Sequence, residues 1–274
     1  TSVPNYIEPS LEISRFFNSN FFTGMIDEVR VWSTERTFAE INASKDCELS
    51  GDEPGLLAYY NFNQGIAGGN NTGINTLVDV QDKCEPNNGI LENFLLTGTT
   101  SNWVSPGSPA TGTCANSFPN IKITGNSNCI INGDITPSPT DFTSFGSSLF
   151  TPINRTFVIE NTGNSDLTIS SVSITGVNAS NFSISSSPSV TISASSSTSM
   201  TITFTPTGAQ GIKNATVTVN NNDTDENSYT FSIDGTTLEQ GTSLAFDGIS
   251  NKVDLPFIFS GSYTKEAWIK TNSF

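Results

Sequence analysis

The chain carries no histidine among its 274 residues, and this excludes several common kinds of active site. Without imidazole there is no His-based general acid or base, no Ser-His-Asp or Cys-His nucleophile and no His-ligated zinc. Neighbouring carboxylates do occur, as in Asp27-Glu28 and Asp52-Glu53. A glycosidase needs two carboxylates that face each other across a substrate, and adjacency in sequence does not indicate that arrangement. We therefore expect that the chain is not an enzyme.

Four cysteines, Cys47, Cys84, Cys114 and Cys129, favour two disulfides because their number is even. Four cysteines allow three pairings, and the sequence by itself does not choose among them. Their grouping along the chain suggests Cys47–Cys84 and Cys114–Cys129. The second pair would close a loop of 15 residues, worth about 3 kcal/mol in the chain-entropy description. Four reduced, buried thiols are the alternative.

One acidic segment imitates a calcium-binding loop. Asp223, Asp225 and Asn227 have the spacing that opens an EF-hand. Ser228 occupies the position at which the sharp turn requires glycine, and Tyr229–Ile233 alternates apolar and polar residues like a strand. The segment is therefore predicted to be a hairpin loop.

A cluster of aromatic residues offers a second kind of binding chemistry. The sequence RFFNSNFF contains Phe16, Phe17, Phe21 and Phe22, and exposed aromatic rings stack on the apolar faces of sugars. A hairpin whose phenylalanines pack into a core is the competing interpretation. It is favoured because phenylalanine is mostly buried in folded proteins.

Composition limits the elements that must position these residues. Charged residues make up 14% of the chain, and the formal net charge is −15. Such a charge repels phosphate backbones and anionic membranes, so no nucleic-acid partner is expected. No apolar run reaches the roughly 18 residues of a membrane helix, so no membrane insertion is expected in this segment. Abundant Ser, Thr, Asn and Gly predict an all-β chain, and the length suits about two domains.

Local patterns in the first hundred residues predict short strands and one helix. Met25–Trp32 reads as a strand in which Val29 and Val31 point inward. Thr37 and Glu40 have the spacing of a capping box and predict the start of a short helix. Leu56–Asn63 is predicted to be an aromatic-rich strand.

From Ile121 onward the sequence predicts a β-sandwich. Half-buried strands are predicted wherever apolar residues alternate with polar ones, as in Met200–Phe204 and Tyr229–Ile233. Turn-forming clusters such as Asn161–Asp166 and Asn220–Ser228 separate the strands at regular intervals. This spacing is typical of a sandwich of about seven strands.

Two stretches resemble laminin-G-like (concanavalin A-like) domains, especially those in adhesins of gliding Bacteroidetes. The first comprises GMIDEVRVW, the helix that follows it, GLLAYYNFNQGIAGGNN and LTGTTSNW, which resemble the C-terminal part of such a domain. Residues 243–274, SLAFDGISNKVDLPFIFSGSYTKEAWIKTNSF, resemble its opening strands. The resemblance implies two parts of jelly-roll sandwiches, exported to the cell surface by the type IX secretion system of those bacteria.

A different resemblance covers the middle of the chain. ITGNSNCIINGDITPSPTDFTSFG, FVIENTGNSDLTI, ITGVNASNFSI and ITFTPTGAQG are similar to Ig-like choice-of-anchor D modules, relatives of the ASH/hydin type. The resulting prediction is a laminin-G-like part at 1–104, a Pro-rich linker at 105–119, an Ig-like domain at 120–236, a linker at 237–242 and a second laminin-G-like start at 243–274.

The laminin-G-like resemblance also implies a metal site. Concanavalin A-like sandwiches can hold calcium where their first and last strands meet, and Asp27 and Asp247 stand at the matching places of the two halves. Carboxylates suit calcium, which takes six to eight oxygen ligands. The alternatives are Asp27 bonded to backbone amides and Asp247 in a simple turn. Calcium is thus the one cofactor expected.

Together these features predict a structural or adhesive repeat segment of a very large secreted protein at the cell surface, forming a stalk, fibre or filament. Its expected partners are neighbouring repeats or copies of the same protein, whose strands would complete the two laminin-G-like parts, since open strand edges invite another chain. A calcium-dependent, lectin-like module that binds surface glycans is the first alternative. An accessory region of a polysaccharide-degrading enzyme is the second.

Overall fold

A computed structural model describes residues 11–13, 15–16, 20–81, 84, 86–107, 110, 112–114 and 117–239, with positions 241, 246, 249, 252 and 253. The chain divides into two compact units, residues 1–239 and 240–274. Strands are the main regular element of the described backbone, with a single α-helix among those residues. The all-β class predicted from composition is therefore confirmed.

The first module, residues 20–107 with the short strand that precedes it, is built from small elements. These are β1 (Arg15–Phe16), β2 (Asn20–Phe21), β3 (Val29–Trp32), α1 (Phe38–Ser44), β4 (Leu56–Tyr60), β5 (Thr76–Leu77) and β6 (Gly89–Ile90). They form three antiparallel pairs, β1–β2, β3–β4 and β5–β6. The rest of the module is loop, as expected from its many Gly and Asn residues.

Helix α1 begins as the sequence predicts. The Thr37 hydroxyl accepts a hydrogen bond from the backbone N–H of Glu40 at 3.3 Å, and the Glu40 carboxylate accepts one from the backbone N–H of Thr37 at 2.7 Å. This reciprocal capping box is confirmed. The bond from the Thr37 backbone is the main reason why the pKa of Glu40 lies below its usual value.

Two small clusters lie on opposite faces of the β3–β4 pair. Val29 and Val31 pack with Ala58, Tyr60 and Leu77, which confirms that the two valines point inward. On the other face, a set formed by Leu49, Leu56, Tyr59 and Cys114 contacts Trp32. The first module therefore has small cores instead of one continuous core.

The second module, residues 117–239, is a two-layer sandwich of ten strands. They are β7 (Ile121–Gly125), β8 (Asn128–Ile130), β9 (Ser144–Ser148), β10 (Ile153–Asn161), β11 (Leu167–Thr175), β12 (Phe182–Ser186), β13 (Thr191–Ile192), β14 (Ser196–Phe204), β15 (Gly211–Asn221) and β16 (Ser228–Thr237). One sheet has the order β12-β14-β10-β7-β8 and the other β13-β11-β15-β16-β9. All pairs are antiparallel except β16–β9.

The sandwich core follows the alternation seen in the sequence. Inward residues on β10, β14, β15 and β16 form one cluster with those of the other strands; among them are Phe157, Met200, Phe204, Val217 and Phe231. Three ring pairs join the sheets: Phe157–Phe231 and Phe145–Phe182, each with centroids 5.5 Å apart, and Phe145–Phe204 at 6.2 Å. The sandwich is confirmed, with ten strands where about seven were predicted, because short strands such as β9 and β13 carry little or no alternation.

Candidate functional site: the junction of the two modules

The predicted calcium ligands are only partly described. Asp27 is half-buried, and its Oδ1 accepts a hydrogen bond from the N–H of Glu28 at 3.0 Å. Its Oδ2 lies so close to Gly107 that a Cβ added there would stand 2.7 Å away. Among the described residues no three Asp, Glu, His or Cys side chains form a group that suits a metal ion. Asp247 lies outside the described residues, so the shared site stays a prediction.

The aromatic cluster is exposed where it is described. Strands β1 and β2 form the expected hairpin, with Arg15 paired to Phe21. Phe21 is 70% exposed and Phe22 is 55% exposed. The favoured expectation that these rings are buried is therefore wrong for both, because no described element covers them. The side chain of Phe16, and all of Phe17, lie outside the described residues.

A buried ion pair, which the sequence did not reveal, supports the β3–β4 pair. Arg30 Nη2 lies 2.6 Å from Glu28 Oε2, and both side chains are nearly buried. Arg30 also donates to the carbonyls of Ser44 and Cys47, at 2.7 and 2.6 Å, and thereby holds the end of α1 against β3. Tyr59 donates its hydroxyl proton to Glu28 at 2.8 Å. Burial, followed by this bond to Glu28, raises the pKa of Tyr59 strongly.

A second carboxylate, which is buried, organises the loop between β5 and β6 and ties it to β4. Asp79 is 4% exposed. It accepts hydrogen bonds from the backbone N–H groups of Tyr59, Gln81 and Asn87 at 3.0, 3.3 and 3.0 Å. Three such bonds satisfy a buried carboxylate, so the arrangement has the character of a structural support.

The connecting segment between Gly107 and Ile121 is attached to the first module. The backbone N–H of Glu48 donates to the carbonyl of Gly112 at 2.9 Å, and that of Cys114 donates to the carbonyl of Glu48 at 2.7 Å. Cys114 is also buried beside Leu49 and Tyr59. Composition predicted a Pro-rich linker at 105–119, and the structure shows that part of this range is bound to the first module.

The disulfides join Cys47 to Cys114 and Cys84 to Cys129, with Cα–Cα distances of 5.0 and 5.3 Å. The pairing suggested by grouping, Cys47–Cys84 and Cys114–Cys129, is therefore wrong. The physical reason is the attachment of the connecting segment to Glu48, which brings Cys114 to Cys47. Cys84 is then left beside β8, which carries Cys129. The second bridge links the two modules covalently.

Polar contacts accompany that bridge at the junction. Asp225 accepts a hydrogen bond from the backbone N–H of Gly55 at 3.2 Å. Asp52 accepts one from the side-chain amide of Asn120 at 3.3 Å. The acidic loop that imitates an EF-hand is thus a hairpin between β15 and β16, as predicted, and it touches the first module.

Asp223 is the most buried carboxyl of that loop, with 2% exposure. Its Oδ2 accepts a hydrogen bond from the backbone N–H of Ile121, the first residue of β7, at 3.0 Å. Burial raises the pKa of Asp223 to about 6, assisted by a hydrogen bond and by charge repulsion from Asp225. The EF-hand-like spacing distinguishes this loop in the sequence, but nothing in the sequence indicates that the loop contacts the first module.

The geometry defines the second module as an Ig-like β-sandwich. A family described as HYDIN/CFA65/VesB-like, Ig-like domain matches residues 147–236. That match covers about a third of the chain and confirms that the chain contains an Ig-like domain. No curated protein matches the sequence.

Solved structures resemble the chain only in part. A protein of unknown function from Porphyromonas gingivalis is 15% identical over 44% of this chain and 48% of its own, with a TM-score of 0.34. The secreted serine protease VesC from Vibrio cholerae is 10% identical over 36% and 22%, with a TM-score of 0.30. The ASH/PapD-like domain 7 of human CEP192 is 17% identical over 52% and 98%, with a TM-score of 0.30.

The chain therefore spans less than half the length of the first two of these structures. Sequence identities and TM-scores this low do not indicate an activity for this chain. Within the described residues, no helix is long and apolar enough to cross a membrane.

Proposed function

We propose that this chain is a structural spacer segment of a secreted, multi-module surface protein, and that it transmits tension from one end of the Ig-like sandwich to the other. The observation that supports this proposal is the path of the chain through the sandwich. The chain enters by β7 at the end that faces the first module, and it leaves by β16 at the opposite end.

The positions of the two strands follow from hydrogen bonds at the junction. The loop from Asn221 to Asn227 precedes β16, and within it Asp223 accepts a bond from the N–H of Ile121, the start of β7. Both strands therefore begin at the same end and run toward the other. The last residue of β16, Thr237, lies at the far end of the sandwich.

Tension on such a path acts along the strands. Pulling β7 outward from its first residue slides it against β10, with which it shares a five-residue register from Ile121 to Gly125. Pulling β16 outward from Thr237 slides it against β15, over a register of ten residues. Because the inter-strand hydrogen bonds lie across the direction of pull, they are strained together and do not open one after another. This arrangement resists extension.

The junction suits the same role. Two polar contacts hold the first module against the end of the sandwich where the chain enters, and a disulfide fastens it to the edge strand β8. Disulfides persist in oxidising compartments, which supports an extracellular location. The remaining parts of the proposal are the laminin-G-like nature of the two ends, their completion by neighbouring repeats or copies, and the adhesive role of the assembly.

Single-molecule pulling on the second module tests the proposal. We expect a high unfolding force when handles are attached at Ser117 and Glu239, because β7 and β16 are then loaded along their length. The matched control attaches the second handle at Glu226, at the same end as the first, so that strands are peeled one bond at a time. Equal forces in the two geometries would contradict the spacer role.

Exposed aromatic rings favour a second candidate function, the binding of surface glycans. Phe21 and Phe22 present apolar rings to solvent beside a two-residue strand, and such rings stack on sugars. The same exposure also suits rings that a neighbouring copy covers. The glycan proposal predicts that Phe21→Ala combined with Phe22→Ala abolishes retention on immobilised polysaccharides, while Phe94→Ala, at another exposed ring, does not.

Calcium belongs to the laminin-G-like part of the proposal. If Asp27 and Asp247 are ligands, calcium raises the melting temperature of the protein above its value in EDTA, because a ligand that binds only the folded state stabilises it. Asp27→Asn and Asp247→Asn each remove that increment, whereas Asp46→Asn preserves it. An identical melting temperature with calcium and with EDTA would exclude the site.

A further inference from the structure

The two disulfides are interleaved along the chain. Cys47–Cys114 closes a loop of 67 residues, and Cys84–Cys129 closes one of 45. Each loop contains one cysteine of the other bridge, because Cys84 lies inside the first loop and Cys114 inside the second. The pairing suggested by grouping, Cys47–Cys84 with Cys114–Cys129, would give two separate loops, so interleaving is particular to the observed pairing.

Interleaving changes the route by which tension crosses the junction. Without disulfides, tension between Cys47 and Cys129 would pass through the whole of the first module after α1, including β4, β5 and β6. With the first bridge, tension steps from Cys47 directly to Cys114. It then follows the 15 residues that lead through β7 to Cys129.

The second bridge fastens the bypassed loop. Cys84 belongs to that loop and is bonded to Cys129 on β8, beside the strand through which tension enters the sandwich. Strand β4, with the buried residues Leu56 and Tyr59, therefore remains attached to the sandwich but lies off the shortest route. Arg30 holds the end of α1 at Cys47, where the shortcut begins.

We propose that the interleaved disulfides form a mechanical bypass, which carries tension from α1 to β7 and keeps residues 48–113 out of the loaded chain. The core residues that β4 and β5 contribute, such as Tyr59 and Leu77, are then spared from extension, whereas β3 stays on the loaded route. This inference rests on the proposed spacer function for its purpose, but its geometry is independent of that function.

The experiment is a measurement of contour length on the full chain, with handles at both termini. Each residue of extended chain spans about 3.5 Å. Reduction by a phosphine should therefore lengthen the fully extended wild-type chain by about 230 Å, the length of the 67-residue loop. The pairing of Cys47 with Cys84 and Cys114 with Cys129 would release only about 180 Å, and the pairing of Cys47 with Cys129 and Cys84 with Cys114 would release about 285 Å.

Two double variants, each lacking one bridge, show which disulfide produces the change in length. C84S/C129S retains the bypass and should still lengthen by about 230 Å on reduction, whereas C47S/C114S should lengthen by only about 150 Å, the 45-residue loop. An increment near 180 or 285 Å in the wild type, or none, overturns the proposal. If a variant fails to fold, peptide mapping of the unreduced wild-type protein decides the pairing directly.

The two proposals fail in distinguishable ways. Contour length reports only the covalent route, so the expected increments with a low unfolding force would reject the spacer function and leave the bypass standing. A high unfolding force with different length increments would reject the bypass and leave the spacer function standing.

Discussion

At the scale of single residues, the junction depends on a carboxyl group that is almost excluded from water. Asp223 stabilises the start of β7 through the N–H of Ile121, yet its charged form is penalised by burial and by Asp225. The pKa of Asp223 in the folded protein, about 6, therefore lies above the value of about 4 expected in the unfolded chain.

This difference fixes the direction of a pH effect. The folded state retains the proton between pH 4 and 6 while the unfolded state has lost it, so the contribution to stability is complete below pH 4 and is lost as the pH rises through 6. Asp223→Asn should remove this decline, of the order of 3 kcal/mol. Urea denaturation at pH 4, 5, 6 and 7 measures it, with the exposed Glu35→Gln as control. An unchanged slope in Asp223→Asn would exclude Asp223 as its source.

Helix α1 depends on interactions at its two ends. None of its residues is buried; Arg30 holds its C-terminal end, and the capping box of Thr37 and Glu40 is the main support of its first turn. Thr37→Ala should destabilise the helix by about 1 kcal/mol. Amide hydrogen exchange of Ile41 and Lys45, which donate to the carbonyls of Thr37 and Ile41, should accelerate about fivefold. Thr99→Ala, at an exposed loop position, should leave both rates unchanged.

Strand β7 carries tension in the proposed function, and its last residue leaves no room for a side chain. A Cβ on Gly125 would stand 1.9 Å from the carbonyl oxygen of Asp141, and backbone does not yield as a flexible side chain does. Gly125→Ala should lower the free energy of unfolding by about 2 kcal/mol or more. Gly73→Ala, where nothing lies within 4 Å, should change it by less than about 1 kcal/mol. Chemical denaturation compares the two, and equal effects would refute the close approach.

The sequence predicted those elements whose residues repeat with a period. Strands β10, β14 and β16 alternate because one face of each is buried, and the cap of α1 rests on two residues three positions apart. The disulfide pairing was not predictable in the same way. It depends on backbone hydrogen bonds between Glu48 and the connecting segment, contacts for which side-chain types give no signal.

The same reasoning explains the buried polar residues. Glu28, just before β3, and Arg30 within it alternate with Val29 and Val31, a pattern that suggests one buried and one solvent-exposed face. Both faces are in fact covered, because α1 and the segment around Cys47 pack against the polar side. Such packing depends on residues distant in sequence, so the sequence indicated neither that Asp79 and Asp223 are buried nor that Glu28 is nearly so.

For the molecule as a whole, stability is divided unequally between the modules. The sandwich has one large core, whereas the first module has small clusters and relies on bridges. In the chain-entropy description, closing loops of 45 and 67 residues is worth about 4 kcal/mol for each bridge. The bridge from Cys84 to Cys129 therefore contributes substantially to joining the two modules into one cooperative unit.

Cooperativity tests this coupling directly. Trp32 and Trp103 lie in the first module, so in a Trp268→Phe background tryptophan fluorescence reports that module, while circular dichroism reports mainly the strands of the sandwich. The two signals should change at the same urea concentration when both bridges are intact. In C84S/C129S the fluorescence transition should move to lower urea, by a loss of up to about 4 kcal/mol, while the circular dichroism transition moves little. If the two transitions still coincided in that variant, the bridge would not be what couples the modules.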